Sequence, residues 1–143
     1  MPRVLIADDN VQNAELLEAY LDGTGWDTKL AANGEETLAV AQAWQPDVIL
    51  LDVMMPKLSG FEVCQRLRAD PATREVGILM VTALDQANDI ERAIDAGTDD
   101  FMTKPIHKSE LLLRTRALVE SRSEPTELDR GLAYFRRAIQ QGA

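Results

Sequence analysis

The sequence is poor in the residues that build disulfides and zinc sites, and it has no long apolar run. Cys64 is the single cysteine and His107 the single histidine, which excludes an internal disulfide and a cysteine or histidine metal cluster. Cys64 shares a helical pattern with Phe61, Val63 and Leu67, which indicates a small buried residue without a redox role. No apolar stretch approaches the roughly 18 residues that a membrane span needs.

Basic residues are also scarce: 15 Lys and Arg stand against 24 Asp and Glu, for a net charge of -9. Such a surface repels phosphate backbones, so we expect no direct binding to nucleic acid. The first residues, Met1 to Arg3, lead into a strand pattern rather than a signal peptide. We therefore expect a cytoplasmic protein with one core of ordinary size.

Hydrophobic periodicity predicts five strands that alternate with five helices. The strand patterns cover residues 3–7, 27–31, 47–51, 77–81 and 101–103. The helical patterns cover residues 13–21, 38–44, 61–69, 90–97 and 108–122. Right-handed crossovers between such units produce a parallel, doubly wound α/β sheet with helices on both faces.

Polar side chains follow four of the strand patterns, at the points where the apolar runs stop. They are Asp8 and Asp9, Asp52, Thr82, and Lys104 before Pro105. Ligands of doubly wound sheets bind at the carboxyl ends of the strands. Because core packing gives no reason to place acids, a hydroxyl and an amine there, we predict a phosphoryl-transfer site at this edge.

The three acids suggest a divalent cation at that site. Carboxylates a few ångströms apart repel each other, and their pKa values rise unless a cation compensates. Oxygen ligands that leave room for waters suit Mg²⁺. We therefore expect Asp8, Asp9 and Asp52 to serve a magnesium ion.

Each polar residue also has a purely local alternative. Helix and loop caps would account for Asp8, Asp9 and Asn10, for Asp52, and for Thr82 with Asp85. Lys104 would be a solvated side chain beside a helix-starting proline. Caps explain single residues more readily than they explain the whole set.

Four motifs carry a resemblance to a known family. They are Asp8-Asp9, Asp52-Val53-Met54-Met55-Pro56 with Gly60, Thr82-Ala83, and Asp99-Asp100-Phe101-Met102-Thr103-Lys104-Pro105. In this order they resemble the receiver domain of two-component response regulators, over about residues 3–122. We accordingly expect a flavodoxin-like five-stranded sheet with strand order 2-1-3-4-5.

The resemblance implies that Asp52 accepts a phosphoryl group from a histidine kinase or phosphotransfer protein, as an acyl phosphate. Asp9, Asp52 and the backbone carbonyl of Met54 would bind Mg²⁺ directly, and Asp8 would act mainly through a bound water. The protein's task is then to neutralise charge and to position the reacting groups.

The resemblance also assigns the groups that respond to the phosphoryl group. Lys104, the Thr82 hydroxyl and the backbone N–H of Ala83 would contact its oxygens. Thr82 is then drawn inward, and Phe101 turns into the space behind it. This reshapes the face of the fourth helix, fifth strand and fifth helix. We expect a cis bond before Pro105 and, because Phe101 lacks a hydroxyl, a bias of this ring toward its buried rotamer.

Two apolar residues flank the path of an attacking water in this family. They are Met54 and Leu84, and neither side chain can orient a water by hydrogen bonding. We therefore predict slow self-dephosphorylation. Apart from this and self-phosphorylation from a phosphodonor, we expect no enzyme activity.

The C-terminal residues, 123–143, are predicted as a linker and a short extra helix after a receiver domain at 1–122. Thr126 to Asp129 resembles a capping box, and an apolar stripe follows at Leu128, Leu132, Phe135 and Ile139. Three alternatives stay open. The helix packs on its own domain, it associates with a second chain, or the sequence is the receiver of a longer regulator, such as a diguanylate cyclase or hybrid kinase.

Other functions and partners follow from the same residues. A Mg²⁺-dependent phosphohydrolase would use Asp52 as nucleophile, but Met54 stands where such enzymes place a second acid. A structural adaptor would not need Asp52.

The expected partners are a downstream protein target or output domain, and we expect no membrane contact. A weak homodimer is expected through the extra helix or through charges that pair across a two-fold axis: Arg92, Asp99, Glu110 and Arg114.

Overall fold

The computed structural model describes residues 1–84 and 86–142, with side-chain detail as far as residue 139. Within them lie five strands: β1 (Arg3–Ala7), β2 (Asp27–Ala31), β3 (Val48–Leu51), β4 (Gly77–Thr82) and β5 (Asp100–Thr103). The helices are α1 (Val11–Tyr20), α2 (Gly34–Trp44), α3 (Gly60–Ala69), α4 (Ala87–Ala96), α5 (Lys108–Ser121) and α6 (Glu127–Gly142). The cap considered for Asp85 lies outside the described residues.

All five strands run parallel in one sheet of order β2-β1-β3-β4-β5, which confirms the predicted fold. The sheet grows in opposite directions from β1, toward β2 on one side and toward β3 on the other. This reversal is the topological switch point, where doubly wound sheets bind ligands. Ala7 pairs with Leu51, so the residues that follow β1 and β3 are neighbours.

The central strands are buried on both faces. In β1 and β3, Leu5 and Ile49 point into a core cluster under α2, α3 and α4, whereas Val4 and Leu50 point into a second cluster under α1 and α5. This is why these strands are continuously apolar. Cys64 lies in the first cluster and is buried, as its helical pattern predicted.

Polar caps move three helix starts ahead of the periodic patterns. α1 begins at Val11 because the Asn10 side chain accepts a hydrogen bond from the Asn13 amide at 3.1 Å. α2 begins at Gly34 because the Asn33 side chain accepts a hydrogen bond from the Glu36 amide at 2.9 Å. α4 begins at Ala87, where the Gln86 amide donates to the Asp89 carboxylate at 3.2 Å. The spacing of apolar residues does not indicate these helix starts, because they are set by polar side chains that hydrogen-bond within the first turn.

α6 packs on its own domain through polar side chains. The Tyr134 hydroxyl donates to the Asp100 carboxylate at the start of β5. Arg130 is buried, and its Nη2 lies 3.5 Å from Glu75 Oε1. The predicted cap is present, because the Asp129 amide donates to Thr126 Oγ1 at 3.1 Å.

The apolar stripe of α6 faces solvent instead of the core. Its four side chains are exposed: Leu128 (71%), Leu132 (47%), Phe135 (62%) and Ile139 (56%). None of the helices within the described residues is both long enough and apolar enough to cross a membrane.

Candidate phosphoryl-transfer site

The predicted site residues meet at the carboxyl edge of the sheet. Asp8 directly follows β1 and Asp52 directly follows β3. Backbone hydrogen bonds fix both positions: the Asp8 amide donates to the Ala31 carbonyl at 3.0 Å, and the Asp52 amide to the Ala7 carbonyl at 2.9 Å. The two carboxylates are therefore held by the sheet itself rather than by a flexible loop.

Three carboxylates form one cluster at this edge. Asp8, Asp9 and Asp52 each offer an oxygen, and these oxygens lie within 4.8 Å of one another. Asp8 and Asp52 are buried, at 3% and 6% exposure, whereas Asp9 is exposed. One solvent-facing and two buried carboxylates fit a hard divalent cation that keeps several of its waters.

Lys104 supplies the positive charge of the site. Its Nζ lies 3.3 Å from Asp8 Oδ2 and 3.3 Å from Asp52 Oδ2, so it is not the solvated side chain of the local alternative. The Lys104 amide donates to the Thr82 carbonyl at 2.8 Å, which joins β5 to β4 at the site. The Lys104–Pro105 bond is cis.

The environment of Asp52 raises the pKa of its carboxyl group above the ordinary value. Burial is the largest cause, and the Asp8 carboxylate adds to it. The Lys104 ammonium and the Met54 amide, which donates to Asp52 Oδ1 at 3.2 Å, act in the opposite direction. Burial thus disfavours the ionised form of Asp52 even with Lys104 beside it, and a bound cation would favour that form.

Asp8, Asn10 and Thr82 show how far the cap alternative holds. The Asp8 carboxylate does accept a local hydrogen bond, from the Asn10 amide at 2.9 Å, but its other oxygen faces Lys104. Thr82 is fully buried, and its hydroxyl oxygen accepts a hydrogen bond from the Leu84 amide at 3.3 Å. Local hydrogen bonds and the shared site therefore coexist in the same residues.

Gly60 allows the start of α3 to lie close to the backbone of Asp52 and Val53. A Cβ at this position would lie 2.6 Å from Val53 Cα and closer still to the Asp52 carbonyl oxygen. The Gly60 amide donates to the Val53 carbonyl at 2.8 Å. Glycine is required because the start of α3 presses against the loop that carries Asp52.

Phe101 is half-buried and packs against the core cluster under α3 and α4. The bias of this ring toward its buried rotamer stays a prediction.

The charges expected to pair across a two-fold axis already have partners within the chain. The contacts are Asp99 with Arg68 at 2.9 Å, Arg114 with Asp100 and with Glu110, and Arg92 over the Phe61 ring at 4.2 Å.

Comparison with known proteins identifies the family. Residues 4–116 match the response regulator receiver domain. Over 119 residues the chain is 45% identical to the DNA-binding dual master transcriptional regulator RpaA of a Synechocystis species, covering 83% of this chain and 49% of RpaA. Over 135 residues it is 41% identical to response regulator PleD of Caulobacter vibrioides, covering 94% of this chain and 30% of PleD.

A solved structure agrees with the fold. The signal receiver domain of a histidine kinase from Syntrophus aciditrophicus superposes with a TM-score of 0.81 at 30% identity, covering 89% of this chain and 96% of that one. The chain thus spans half or less of the two regulators but nearly all of an isolated receiver domain. It belongs to the response regulator receiver family of two-component signalling.

Proposed function

We propose that Asp52 is the phosphoacceptor and that its phosphorylation operates the switch. The observation that carries this proposal is that Asp52 contacts the Lys104 ammonium at 3.3 Å and shares one carboxylate cluster with Asp8 and Asp9. A carboxylate oxygen of Asp52 attacks the phosphorus atom of a phosphohistidine in a histidine kinase or phosphotransfer protein. The new O–P bond forms as the P–N bond breaks, and the imidazole leaves with the electron pair of that bond.

The acids fit Mg²⁺ as their cofactor. Asp9, Asp52 and the Met54 carbonyl would hold the ion, and Asp8 would hold one of its waters. The bound ion supplies positive charge that neutralises the phosphoryl oxygens. The exposed position of Asp9 leaves the metal side of the site open to solvent and to the phosphodonor.

Lys104, Thr82 and Ala83 are proposed to bind the phosphoryl oxygens. The Lys104 ammonium already lies 3.3 Å from Asp52 Oδ2, so a phosphoryl group on that carboxylate comes within its reach. Ala83 is exposed beside buried Thr82. The Thr82 oxygen accepts a hydrogen bond from the Leu84 amide, and the same hydroxyl can donate its hydrogen to a phosphoryl oxygen, so a movement of Thr82 toward that oxygen would act on Leu84.

The switch would be read on the face of α4, β5 and α5. Phe101 lies half-buried on β5, and Pro105 follows the site lysine. α6 contacts this same face through Tyr134 and Asp100, so a change at β5 reaches the C-terminal helix directly. The output is proposed to be a protein target or a further domain of a longer cytoplasmic regulator, with residues 1–122 as the receiver and 123–143 as linker and helix.

Intact-mass measurement after incubation with acetyl phosphate and Mg²⁺ tests the proposal. Wild type should gain one phosphoryl group, and so should an Asp22→Asn control at an exposed acid in the turn after α1. Asp52→Asn should gain none. Phosphorylation of Asp52→Asn to the wild-type level would contradict the assignment, and an adaptor would signal equally well with either residue.

A phosphohydrolase is the competing activity, and the site does not favour it. Met54, at the position where such an enzyme places its second acid, is 57% exposed and has no acid or base to offer. Steady turnover of p-nitrophenyl phosphate by wild type but not by Asp52→Asn would support the phosphohydrolase. We expect a single phosphorylation and no sustained turnover.

A further inference from the structure

The apolar stripe of α6 is a surface without an occupant in the described chain. Leu128, Leu132, Phe135 and Ile139 lie four, three and four residues apart, and each is between 47% and 71% exposed. Contiguous exposed apolar side chains of this kind mark interaction surfaces.

The spacing assigns the stripe to one seam of a coiled coil. Leu132 and Ile139 take the a positions, and Leu128 and Phe135 take the d positions. The residues that anchor α6 to its own domain lie on the opposite side of the helix: Arg130, Tyr134 and Arg137 at positions f, c and f. The seam therefore stays available while α6 remains docked.

Two charged residues beside the seam distinguish the possible arrangements. Asp129 and Arg136 both take the e position, and neither has an ion pair or side-chain hydrogen bond within the described part of the chain. In an antiparallel pair of helices e positions face each other, so Asp129 of each copy meets Arg136 of the other. In a parallel pair Arg136 would face the g position, which is Gly131.

We propose that α6 is an antiparallel two-fold interface between two copies of this chain. The layers pair Leu128 with Ile139 and Leu132 with Phe135, and the two-fold axis repeats each pair. Both Asp129–Arg136 contacts then lie beside the apolar layers. A second copy fits because the stripe is complementary to itself in this register, in apolar packing and in charge.

The association should be weak, because the seam is shorter than two heptads. We expect a dissociation constant on the order of 10–100 µM. Sedimentation equilibrium between roughly 10 µM and 1 mM, a range chosen to bracket that value, should show a monomer–dimer equilibrium. The measurement is made without phosphodonor or Mg²⁺, so its result is independent of the role proposed for Asp52. Phe135→Glu should leave only monomer, with the circular dichroism of wild type.

Charge exchange tests the antiparallel register. Asp129→Arg and Arg136→Asp each place like charges at both e contacts, so each should weaken the dimer by about tenfold. An equimolar mixture of the two variants pairs opposite charges again and should restore the affinity of wild type. Glu15→Arg on α1, an exposed position away from the seam, is the matched control and should not change it.

Three results would overturn the proposal. A wild-type protein that is monomeric throughout the concentration range shows that the stripe does not bind a second copy. A dimer that survives Phe135→Glu uses another face. If both charge variants weaken the dimer but their mixture does not restore it, the helices do not pair in the antiparallel register.

Discussion

The ammonium group of Lys104 lies 3.3 Å from Asp52 Oδ2, although 52 positions separate the two residues in the chain. Asp8 Oδ2 lies at the same distance from the same ammonium group. One cation thus bridges two buried carboxylates. Because Lys104 follows β5 and the acids follow β1 and β3, only the assembled sheet creates this contact.

Replacing Lys104 with methionine should slow phosphorylation of Asp52 by about 100-fold. The substitution keeps the apolar stem but removes the charge that faces the incoming phosphoryl oxygens. Stopped-flow or intact-mass time courses with acetyl phosphate and Mg²⁺ measure the rate. Lys108→Met, at an exposed lysine in the first turn of α5, is the control and should react at the wild-type rate. An unchanged rate in Lys104→Met would remove Lys104 from the site.

Asp52→Asn should stabilise the metal-free protein at neutral pH, by on the order of 1 kcal/mol. The pKa of the Asp52 carboxyl is raised by burial above its unfolded value, so holding the ionised group there costs folding free energy. That cost is present above the folded pKa and disappears as the pH falls through it. Urea unfolding in EDTA should therefore show a larger free energy of unfolding for Asp52→Asn than for wild type, and this difference should decrease as the pH falls.

Mg²⁺ should remove the difference in free energy of unfolding between Asp52→Asn and wild type at neutral pH. The reason is that the ion binds the folded carboxylates of wild type and not those of the unfolded chain. Asp22→Asn serves as the exposed-acid control and should unfold like wild type under every condition. If the difference in free energy of unfolding increased as the pH falls, the pKa of the Asp52 carboxyl would be lowered in the folded protein and not raised.

The phosphorylated protein should lose its phosphoryl group slowly. Met54 is exposed and Leu84 is half-buried beside the site, and neither can position a water by hydrogen bonding. We expect Met54→Asn combined with Leu84→Glu to shorten the half-life of the acyl phosphate by about tenfold. Loss of the added mass with time measures it, and equal or faster hydrolysis in wild type would refute the prediction.

Tyr134→Phe should loosen the docking of α6 on β5 and α5. The Tyr134 hydroxyl donates to the Asp100 carboxylate, which also binds Arg114, and its removal should cost about 1 kcal/mol. Hydrogen exchange should quicken in α6 while β1 and β3 stay protected. Tyr20→Phe is the control, since that hydroxyl has no hydrogen bond within the described residues, and it should leave exchange in α6 unchanged. Equal exchange in wild type and Tyr134→Phe would show that the contact does not hold the helix.

Much of the fold could be predicted from local patterns. The runs in β1 and β3 are continuously apolar because both faces of these strands are covered, and their ends are marked where Asp8 and Asp52 interrupt them. Helix starts were predicted less well. α1 begins at Val11 because of the Asn10 cap, which involves side-chain hydrogen bonding that the apolar period does not report.

The orientation of α6 could not be predicted from its stripe. A narrow apolar face usually indicates the buried side of a helix, yet here polar contacts such as Tyr134 with Asp100 decide the docking and leave Phe135 exposed. Likewise, the charges expected to meet a second chain are neutralised within this one, as in the pair of Asp99 and Arg68. Both outcomes depend on which long side chains reach each other in space.

By itself, the sequence determined the order of strands and helices and which polar residues end the strands, because periodicity and its interruptions are local properties. Tertiary structure alone decided that Lys104 bridges Asp8 and Asp52, that burial raises the pKa of Asp52, and that the stripe of α6 faces outward. Coulomb interactions, desolvation and packing depend on distances between residues far apart in the chain, and those distances exist only once the sheet has formed.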